Sequence, residues 1–342
     1  MFTDGDLLMI TKNIKNNQSG FTLVELMVSI VLGLLLIAYC LLLVAAGIQL
    51  FINGQVAYKV QQAGAAIQDS GVFGLSYMTQ SIRLANYGNS DAMNDETLFG
   101  GVVISGESAN TSPDRAGNLK GMRIGATQIT DKKYLTSNKQ TESAYGIASD
   151  QLVIMYQAPK NMYNCAGEKV NGPVRTLTSI TPGQYVIEKY YIKKDGTNAA
   201  AALYCDSGIF TDNETARKSS AGLNIAGYGV DGTMISNNAE YMRIQLIVRT
   251  ENGTQTMPID AYTADFVISD TPTGNQVKAR PAIIGINLGL MVRSTDKAGS
   301  KYGAQTYQVL DKVITAPDDG YIRNAYLTTI ALRNGGLGEV IK

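Results

Sequence analysis

The chain has 342 residues, with 29 basic and 29 acidic side chains and neither histidine nor tryptophan. The lack of histidine excludes the Ser-His-Asp triad, the Cys-His dyad and the HExxH zinc site within this chain. A formal net charge of zero argues against a protein that binds nucleic acid through excess Lys and Arg. Because hydrophobic residues make up 45% of the chain, we expect a folded protein. From the neutral charge we expect that it binds no nucleic acid directly.

An apolar stretch near the N-terminus is the strongest signal in the sequence. Residues 26–48 carry no charge, and no charge occurs between Glu25 and Lys59. A membrane-spanning helix needs about 20 apolar residues, so this stretch is long enough to cross a bilayer. It is longer than the apolar core of about 7–15 residues in a secretory signal peptide. We therefore predict a transmembrane helix over 21–51.

The helical pattern continues beyond the apolar stretch. Apolar residues recur mostly every three or four positions, as in a helix with one buried face: Val56, Val60, Ala63, Ile67, Leu75, Met78, Ile82 and Ala85. We predict an amphipathic continuation of the helix over 52–88, ended by turn-forming residues at 86–89. Because a glycine inside a helix costs about 1 kcal/mol relative to alanine, we also expect a kink or a loosened turn near Gly71 and Gly74.

Glu25 is an unusual charge at the start of such a helix. A carboxylate there costs up to about 3 kcal/mol toward the bilayer centre, so it requires a partner. Cleavage after Gly20 would create an α-ammonium group on Phe21, four residues before Glu25 and on the same helix face. In an array of such helices, the carboxylate could equally neutralise the amine of a neighbouring subunit.

The residues around Glu25 resemble the type IV prepilin signature, in the order Ser19-Gly20-Phe21-Thr22-Leu23-Val24-Glu25-Leu26-Met27. The resemblance implies a leader peptide over 1–20, cleavage between Gly20 and Phe21 by a prepilin peptidase, and N-methylation of Phe21. It also implies that Glu25 governs docking of the subunit in a filament, whose core the helix over 21–51 would form.

The leader is long for this class, so two start positions stay open. Translation from Met1 gives a 20-residue leader in which Asp4 and Asp6 offset the lysines. Translation from Met9 gives a shorter leader with a charge of about +2, which fits the positive-inside rule better. We therefore expect Met9 to be the true start.

Beyond residue 90 the periodicity becomes typical of β-strands. Runs of β-branched and aromatic residues predict six strands, at 102–105, 151–157, 185–193, 241–249, 283–293 and 326–332. Polar loops rich in Gly, Asn, Ser and Thr separate them. We predict an α+β, pilin-like fold in which a long N-terminal α-helix, its first half transmembrane, packs on an antiparallel β-sheet head over 89–342 with long loops.

Three further segments resemble the PilW family of minor pilins, which are type IV pilus assembly proteins. They are residues 71–88, where Asn86 replaces the usual Gly, residues 150–156, and the terminal segment 323–334. The resemblance implies a non-catalytic minor pilin in the tip complex that primes pilus assembly and supports motility, adhesion or DNA uptake. Its implied partners are the prepilin peptidase, other minor pilins and the major pilin. Its implied location is the inner membrane, with a single span and a periplasmic head, and after assembly the pilus at the cell surface.

Two other interpretations stay open. The first is a minor pseudopilin of a type II secretion system, similar to GspJ, because the prepilin signature is shared by both systems. The second is a periplasmic enzyme or binding protein with a single anchor, in which the signature is accidental. Such a protein would remain uncleaved and would present a ligand pocket.

Cys165 and Cys205 lie in the predicted head, which would face an oxidising periplasm, whereas Cys40 lies in the apolar stretch. A Cys165–Cys205 disulfide would close a loop of about 40 residues and stabilise the fold by about 4 kcal/mol. Two free thiols are the alternative.

Acidic residues in predicted turns are the remaining candidates for a binding site. Asp91, Asp95, Glu96, Asp318 and Asp319 offer oxygen atoms suited to Ca²⁺, but their spacing does not match an EF-hand loop. The sequence also lacks the GxxxxGK[ST] loop that binds phosphates. We predict no metal site, no cofactor and no catalytic residue.

Overall fold

The computed structural model describes residues 20–109, 112–141, 145, 147–194, 200–264, 267–268, 276–277, 280–298 and 304–333. The candidate start residues Met1 and Met9, the leader up to residue 19, and residue 334 of the terminal segment lie outside these ranges. The chain divides into two compact units, Met1–Ala57 and Tyr58–Lys342. We call the second the head unit.

The helices are α1 (Leu23–Ile82), α2 (Glu214–Lys218), α3 (Ile259–Thr263) and a 3-10 helix (Lys132–Tyr134). The strands of the first half of the chain are β1 (Ser108–Ala109), β2 (Ser112–Ala116), β3 (Met122–Ile124), β4 (Thr127–Gln128), β5 (Ser137–Thr141), β6 (Ser149–Gln157), β7 (Met162–Tyr163) and β8 (Lys169–Val170). Those that follow are β9 (Val174–Arg175), β10 (Ile180–Thr181), β11 (Tyr185–Lys194), β12 (Ala201–Phe210), β13 (Leu223–Asn224), β14 (Thr233–Ser236) and β15 (Ala239–Thr250). The last are β16 (Gly253–Pro258), β17 (Val267–Ile268), β18 (Gln276–Val277), β19 (Ala282–Arg293), β20 (Gln305–Val309), β21 (Lys312–Ala316) and β22 (Arg323–Ala331).

The N-terminal part of α1 is apolar and exposed. Its leucine, isoleucine and valine side chains between Leu23 and Ile52 are mostly more than half exposed. A helix presents such a surface only where lipid or another protein covers it. Within the described residues, α1 is the one helix that is long and apolar enough to cross a membrane.

Two antiparallel sheets form the framework of the head unit. The first has the strand order β14-β12-β11-β6-β5, and the second has the order β16-β15-β19-β22. The last turns of α1 and the inner faces of both sheets share one hydrophobic core, which includes Ile67, Leu75, Met78 and Ile82 of the helix. Each such side chain contributes about 1.5–3 kcal/mol on burial. The predicted α+β fold, with a long helix followed by antiparallel sheets, is confirmed.

The first sheet is buried on both faces. Its inner face packs on α1, while Val153, Met155 and Ile187 of its outer face pack on loop residues such as Leu119 and Ile129. Residues 149–156 of β6 are therefore all buried, and residues 152–156 form an apolar run with little alternation.

The loosened turn expected near Gly71 and Gly74 is wrong, because α1 continues through both glycines without a break. These glycines instead allow the helix to approach the sheets closely. A Cβ atom on Gly71 would lie 2.4 Å from ring carbons of Tyr326, and a Cβ atom on Gly74 would lie 3.3 Å from a methyl carbon of Leu290. Gly64 has no atom within 4 Å of the corresponding position.

Alanine substitutions at Gly64 and Gly71 should therefore change stability in opposite directions. Gly64→Ala should raise the free energy of unfolding by up to about 1 kcal/mol, because alanine is the better helix former. Gly71→Ala gains the same helix propensity but must displace the Tyr326 ring, and we expect a net loss of about 1–2 kcal/mol. Denaturant unfolding of the two variants measures the difference. A stabilising effect at both positions would show that Gly71 is not needed for close packing.

The end of α1 is fixed by Asn86. This residue has a φ angle of 67°, a left-handed conformation that asparagine tolerates better than most non-glycine residues. Its backbone N–H donates to the carbonyl oxygen of Met155 in β6 (3.0 Å), and its Oδ1 accepts from the backbone N–H of Gly101 (3.1 Å). The conformation explains why Asn86 can stand where the family resemblance leads us to expect glycine.

Five of the six predicted strands are confirmed, as β6, β11, β15, β19 and β22. The strand predicted at 102–105 is wrong: within this segment only Val102 forms an isolated bridge, to Ile154. Strand β12, which lies between β11 and β14 in the first sheet, was not predicted from the sequence.

Candidate functional site

The predicted cleavage site lies just before the start of α1. Gly20 and Phe21 have no helical structure, and the helix begins at Leu23. The side chain of Phe21 is 80% exposed. The peptide bond between Gly20 and Phe21 therefore lies outside the helix. A peptidase needs this part of its substrate to be extended.

Thr22 and Glu25 form a capping box at this helix start. Glu25 Oε2 accepts from the backbone N–H of Thr22 (3.2 Å) and from its hydroxyl (3.0 Å). Thr22 Oγ1 in turn accepts from the backbone N–H of Glu25 (3.3 Å). These bonds satisfy N–H groups that a helix start leaves without partners. Glu25 thus has a local partner in the uncleaved chain, and the Thr-x-x-Glu spacing was the signal that could have predicted it.

The second group of predicted site residues lies in the head unit. The structure joins Cys165 and Cys205 in a disulfide, with a Cα–Cα distance of 6.1 Å. Cys165 lies in the turn between β7 and β8, and Cys205 lies in β12, so the bond ties a surface hairpin to the first sheet. The hydroxyl of Tyr77 on α1 donates to the carbonyl oxygen of Cys165 (3.0 Å). Cys40 is a free, exposed cysteine of α1.

Glu188 is a fully buried carboxylate beside this disulfide. It accepts hydrogen bonds from the hydroxyls of Tyr156 (3.0 Å) and Tyr190 (2.8 Å) and from the backbone N–H of Cys165 (2.8 Å). Burial raises the pKa of the Glu188 carboxyl group, and the hydrogen bonds only partly oppose this shift. The carboxylate therefore joins β6, the β7–β8 hairpin and β11 through hydrogen bonds, and no local sequence pattern predicted it.

An arginine network connects the two sheets. Arg243 of β15 donates to Asp150 of β6 (3.2 Å) and, through two nitrogens, to Asp311 (2.8 and 2.6 Å). The backbone N–H of Ile244 also donates to Asp150 Oδ2 (2.8 Å). Burial raises the pKa of Asp150 to about 6, although Arg243 acts to lower it.

Several of the acidic turn residues that resembled metal ligands pair with arginines, among them Asp95 and Asp319. Asp95 forms a buried ion pair with Arg280, and Asp319 binds Arg323 through both carboxylate oxygens (2.7 and 2.6 Å). Arg323 also donates to Glu240 Oε2 (2.8 Å). Among the residues that the structure describes, no group of three or more acidic or cysteine side chains is arranged to hold a metal ion.

Sequence comparison assigns these features to a family. Residues 15–40 match the prokaryotic N-terminal methylation motif, and residues 189–334 match type IV pilus-assembly protein W, PilW. The chain is a PilW-like type IV pilin. No curated protein shows significant similarity to it.

The two matches cover different groups of the residues described above. Gly20, Phe21 and Glu25 lie within the methylation motif, while Cys205 and Arg243 lie within the PilW match. A structure search found a type IV-like pilin from Thermus thermophilus, with 12% identity and a TM-score of 0.37. That alignment covers 76% of this chain and 91% of the other.

Proposed function

We propose that this pilin is a minor subunit of a type IV pilus that acts by assembly and catalyses no reaction. Before processing, the chain is a prepilin anchored in the inner membrane. Residues 1–20 are the leader, 21–51 the membrane span and 52–88 its amphipathic continuation. Residues 89–342 form the periplasmic head. After processing it joins other minor pilins in the tip complex that primes assembly of the major pilin, in support of motility, adhesion or DNA uptake.

One observation carries the proposal: a methylation motif at the start of an exposed apolar helix occurs in the same chain as a PilW-type head. Apolar helix packing would supply most of the stability of the filament. Cleavage between Gly20 and Phe21 releases the α-amine of Phe21, which is N-methylated in a separate step. The carboxylate of Glu25 pairs with such an amine and fixes the register of subunits. In the uncleaved chain, Oε2 of Glu25 accepts the capping hydrogen bonds from Thr22. The other carboxylate oxygen, Oε1, is the one that we assign to the contact with the amine.

The N-terminus of the membrane-extracted protein tests the processing step. With the prepilin peptidase present, mass spectrometry should find a mature chain that starts at N-methylated Phe21. Without the peptidase, the leader should remain. An intact N-terminus in both conditions would contradict the pilin assignment of function and favour an anchored periplasmic enzyme or binding protein.

A deletion strain separates the pilus from a type II secretion system. Loss of twitching motility with normal secretion of exoproteins is expected for a minor pilin. Loss of secretion with normal motility would instead identify a pseudopilin similar to GspJ. The PilW match over 189–334 is the observation that favours the pilus.

Substitutions at Glu25 should separate its charge from its capping role. Glu25→Gln keeps a side-chain oxygen that can accept from Thr22, so the helix start should persist, but it removes the charge that pairs with the amine. We expect at least a roughly tenfold loss of the protein from sheared pili, since an ion pair in a low-dielectric array exceeds about 1.4 kcal/mol. Glu25→Asp, which keeps the charge, should retain part of the incorporation. Equal incorporation of Glu25→Gln and the natural chain would show that the charge is not needed.

A further inference from the structure

A small hairpin in the head unit exposes three large apolar side chains. We call the segment 172–183, which contains β9 and β10, the apolar finger. Val174 and Ile180 are more than half exposed, and Leu177 at the tip is fully exposed. Solvent-facing loop tips are normally polar, and a contiguous apolar surface indicates an interaction site.

The apolar finger is held in a defined shape. Pro173 and Pro182 restrict the backbone at its two ends. A Cβ atom on Gly183 would lie 2.3 Å from the carbonyl oxygen of Ala158 and 3.2 Å from Pro173, so the two ends of the finger meet on the head. Preorganisation of this kind lowers the entropy cost of binding.

Hydrogen bonds also fix the tip of the finger. The backbone N–H of Thr176 donates to the carbonyl oxygen of Ser179 (2.8 Å), and the N–H of Ser179 donates to Thr176 Oγ1 (3.0 Å). These bonds pair polar groups of Thr176 and Ser179 across the turn, and Leu177 at its tip is exposed. Such a tip can enter an apolar phase without carrying these polar groups unpaired.

The segment of the chain that contains the finger is basic. Residues 159–183 contain Lys160, Lys169 and Arg175 but a single acid, Glu168, so this segment has a net charge of 3 − 1 = +2 in a chain whose net charge is zero. All three basic side chains are exposed. Tyr163, which pairs with Lys169 across β7 and β8, is also exposed. Apolar residues at a tip, with Tyr, Lys and Arg behind them, are the composition of protein surfaces that enter the interface of an anionic bilayer.

The finger lies far along the head unit from Tyr58, where the apolar stretch of α1 has ended. Beside the finger, the backbone N–H of Ala158 donates to the carbonyl oxygen of Gln184 (2.8 Å). The preceding residue, Gln157, donates its backbone N–H to the carbonyl oxygen of Tyr87, just beyond the end of α1 (2.8 Å). From Tyr58 to Ile82 the helix is about 36 Å long. Within the head unit, the base of the finger therefore lies beside the C-terminal end of α1.

We propose that the apolar finger binds the surface of a bilayer that contains anionic lipids, with Leu177 and Ile180 in the acyl boundary and Lys160, Lys169 and Arg175 at the headgroups. This inference goes beyond the proposed assembly function and does not depend on it.

Vesicle capture by the full mature chain tests the proposal. The protein is held through α1 in nanodiscs of neutral phosphatidylcholine and mixed with free vesicles, and discs that float with the vesicles are counted. We expect capture by vesicles of phosphatidylcholine with phosphatidylglycerol, at least roughly tenfold above capture by phosphatidylcholine alone. Added salt should weaken the capture.

Matched variants assign the capture to the finger. The double change Leu177→Asp and Ile180→Asp should lower it roughly tenfold or more, because two apolar contacts are lost and two negative charges are added. Val313→Asp changes an apolar residue of β21 that is 63% exposed, close to the 66% of Ile180, and it should leave capture unchanged. Thermal unfolding of each variant checks that the head remains folded.

A fluorescence measurement provides a second test. The chain has no tryptophan, so Leu177→Trp introduces a single reporter. Each variant is solubilised in a polymer. The tryptophan emission of Leu177→Trp should shift to the blue on addition of anionic vesicles, whereas the tryptophan emission of Val313→Trp should not. Equal capture by neutral vesicles, or unchanged capture by the finger variant, would overturn the proposal. Loss of a co-purifying pilin from the finger variant, without vesicle capture by either chain, would also overturn it and assign the finger to a protein partner.

Discussion

Replacing Arg243 by Met should destabilise the head unit by about 3–5 kcal/mol at neutral pH. The expected loss follows from burial, since Asp150 is 1% exposed and Arg243 is 3% exposed. Methionine fills much of the arginine volume but leaves the Asp150 carboxylate without its cation. Denaturant unfolding of the mature chain measures the loss.

The effect of Arg243→Met should depend on pH. Burial raises the pKa of Asp150 to about 6 in the folded protein, compared with about 3.9 in an unfolded chain. The folded state therefore holds this proton more tightly, and the stability it contributes is full below about pH 4 and is lost as the pH rises through about 6. Removing Arg243 removes an interaction that lowers this pKa. The instability of the variant should be largest above pH 6 and smallest near pH 4.

A second substitution separates the charge effect from the packing effect. Asp150→Asn keeps an oxygen that can accept from the N–H of Ile244, so the double variant Asp150→Asn with Arg243→Met should regain roughly half of the lost stability or more. Lys218→Met removes the exposed ion pair with Glu214 and should leave the stability nearly unchanged. If the double variant is no more stable than Arg243→Met at any pH, the unpaired carboxylate is not the cause.

Local composition explains which strands could be predicted. The sequences of β6, β11, β15, β19 and β22 are rich in β-branched and aromatic residues, so their pattern was visible. The sequence of β12 begins with alanines and contains Asp206, Ser207 and Gly208, which favour turns, yet tertiary packing makes it a strand of the first sheet. The apolar segment at 102–105 is buried but lies outside the regular sheet. Burial and strand pairing produce the same apolar signal, and the sequence does not separate them.

Long-range partners could not be predicted from local patterns. Asp150 and Arg243 are 93 positions apart, and their contact depends on the packing of β6 and β15. The same is true of Gly71, whose function depends on a ring 255 positions later, Tyr326. The cleavage motif and the cap at Thr22 and Glu25 are local, so sequence alone contains both, although only the first was predicted.

Removing the Cys165–Cys205 disulfide should lower the stability of the head unit by about 4 kcal/mol, and its melting temperature by about 10 °C. The bond closes a loop with a sequence separation of 40 residues, which limits the conformations of the unfolded chain. It also holds the β7–β8 hairpin on β12, where the hairpin turn meets Tyr77 and Glu188. Alanine is the better replacement at both positions, because the sulfur atoms are buried and a serine hydroxyl would need a partner.

Reducing agent provides the matched control for the double variant Cys165→Ala and Cys205→Ala. It should lower the melting temperature of the natural chain to nearly that of the double variant, and it should leave the double variant unchanged. Cys40→Ser, in the exposed part of α1, should behave like the natural chain in both conditions. A double variant that still responds to reductant would show that the stabilisation comes from elsewhere. A natural chain that does not respond to reductant would show that the two cysteines stabilise the head by packing. The hydrogen bonds to Tyr77 and Glu188 would not explain that result, because they use backbone atoms of Cys165 that any residue at this position retains.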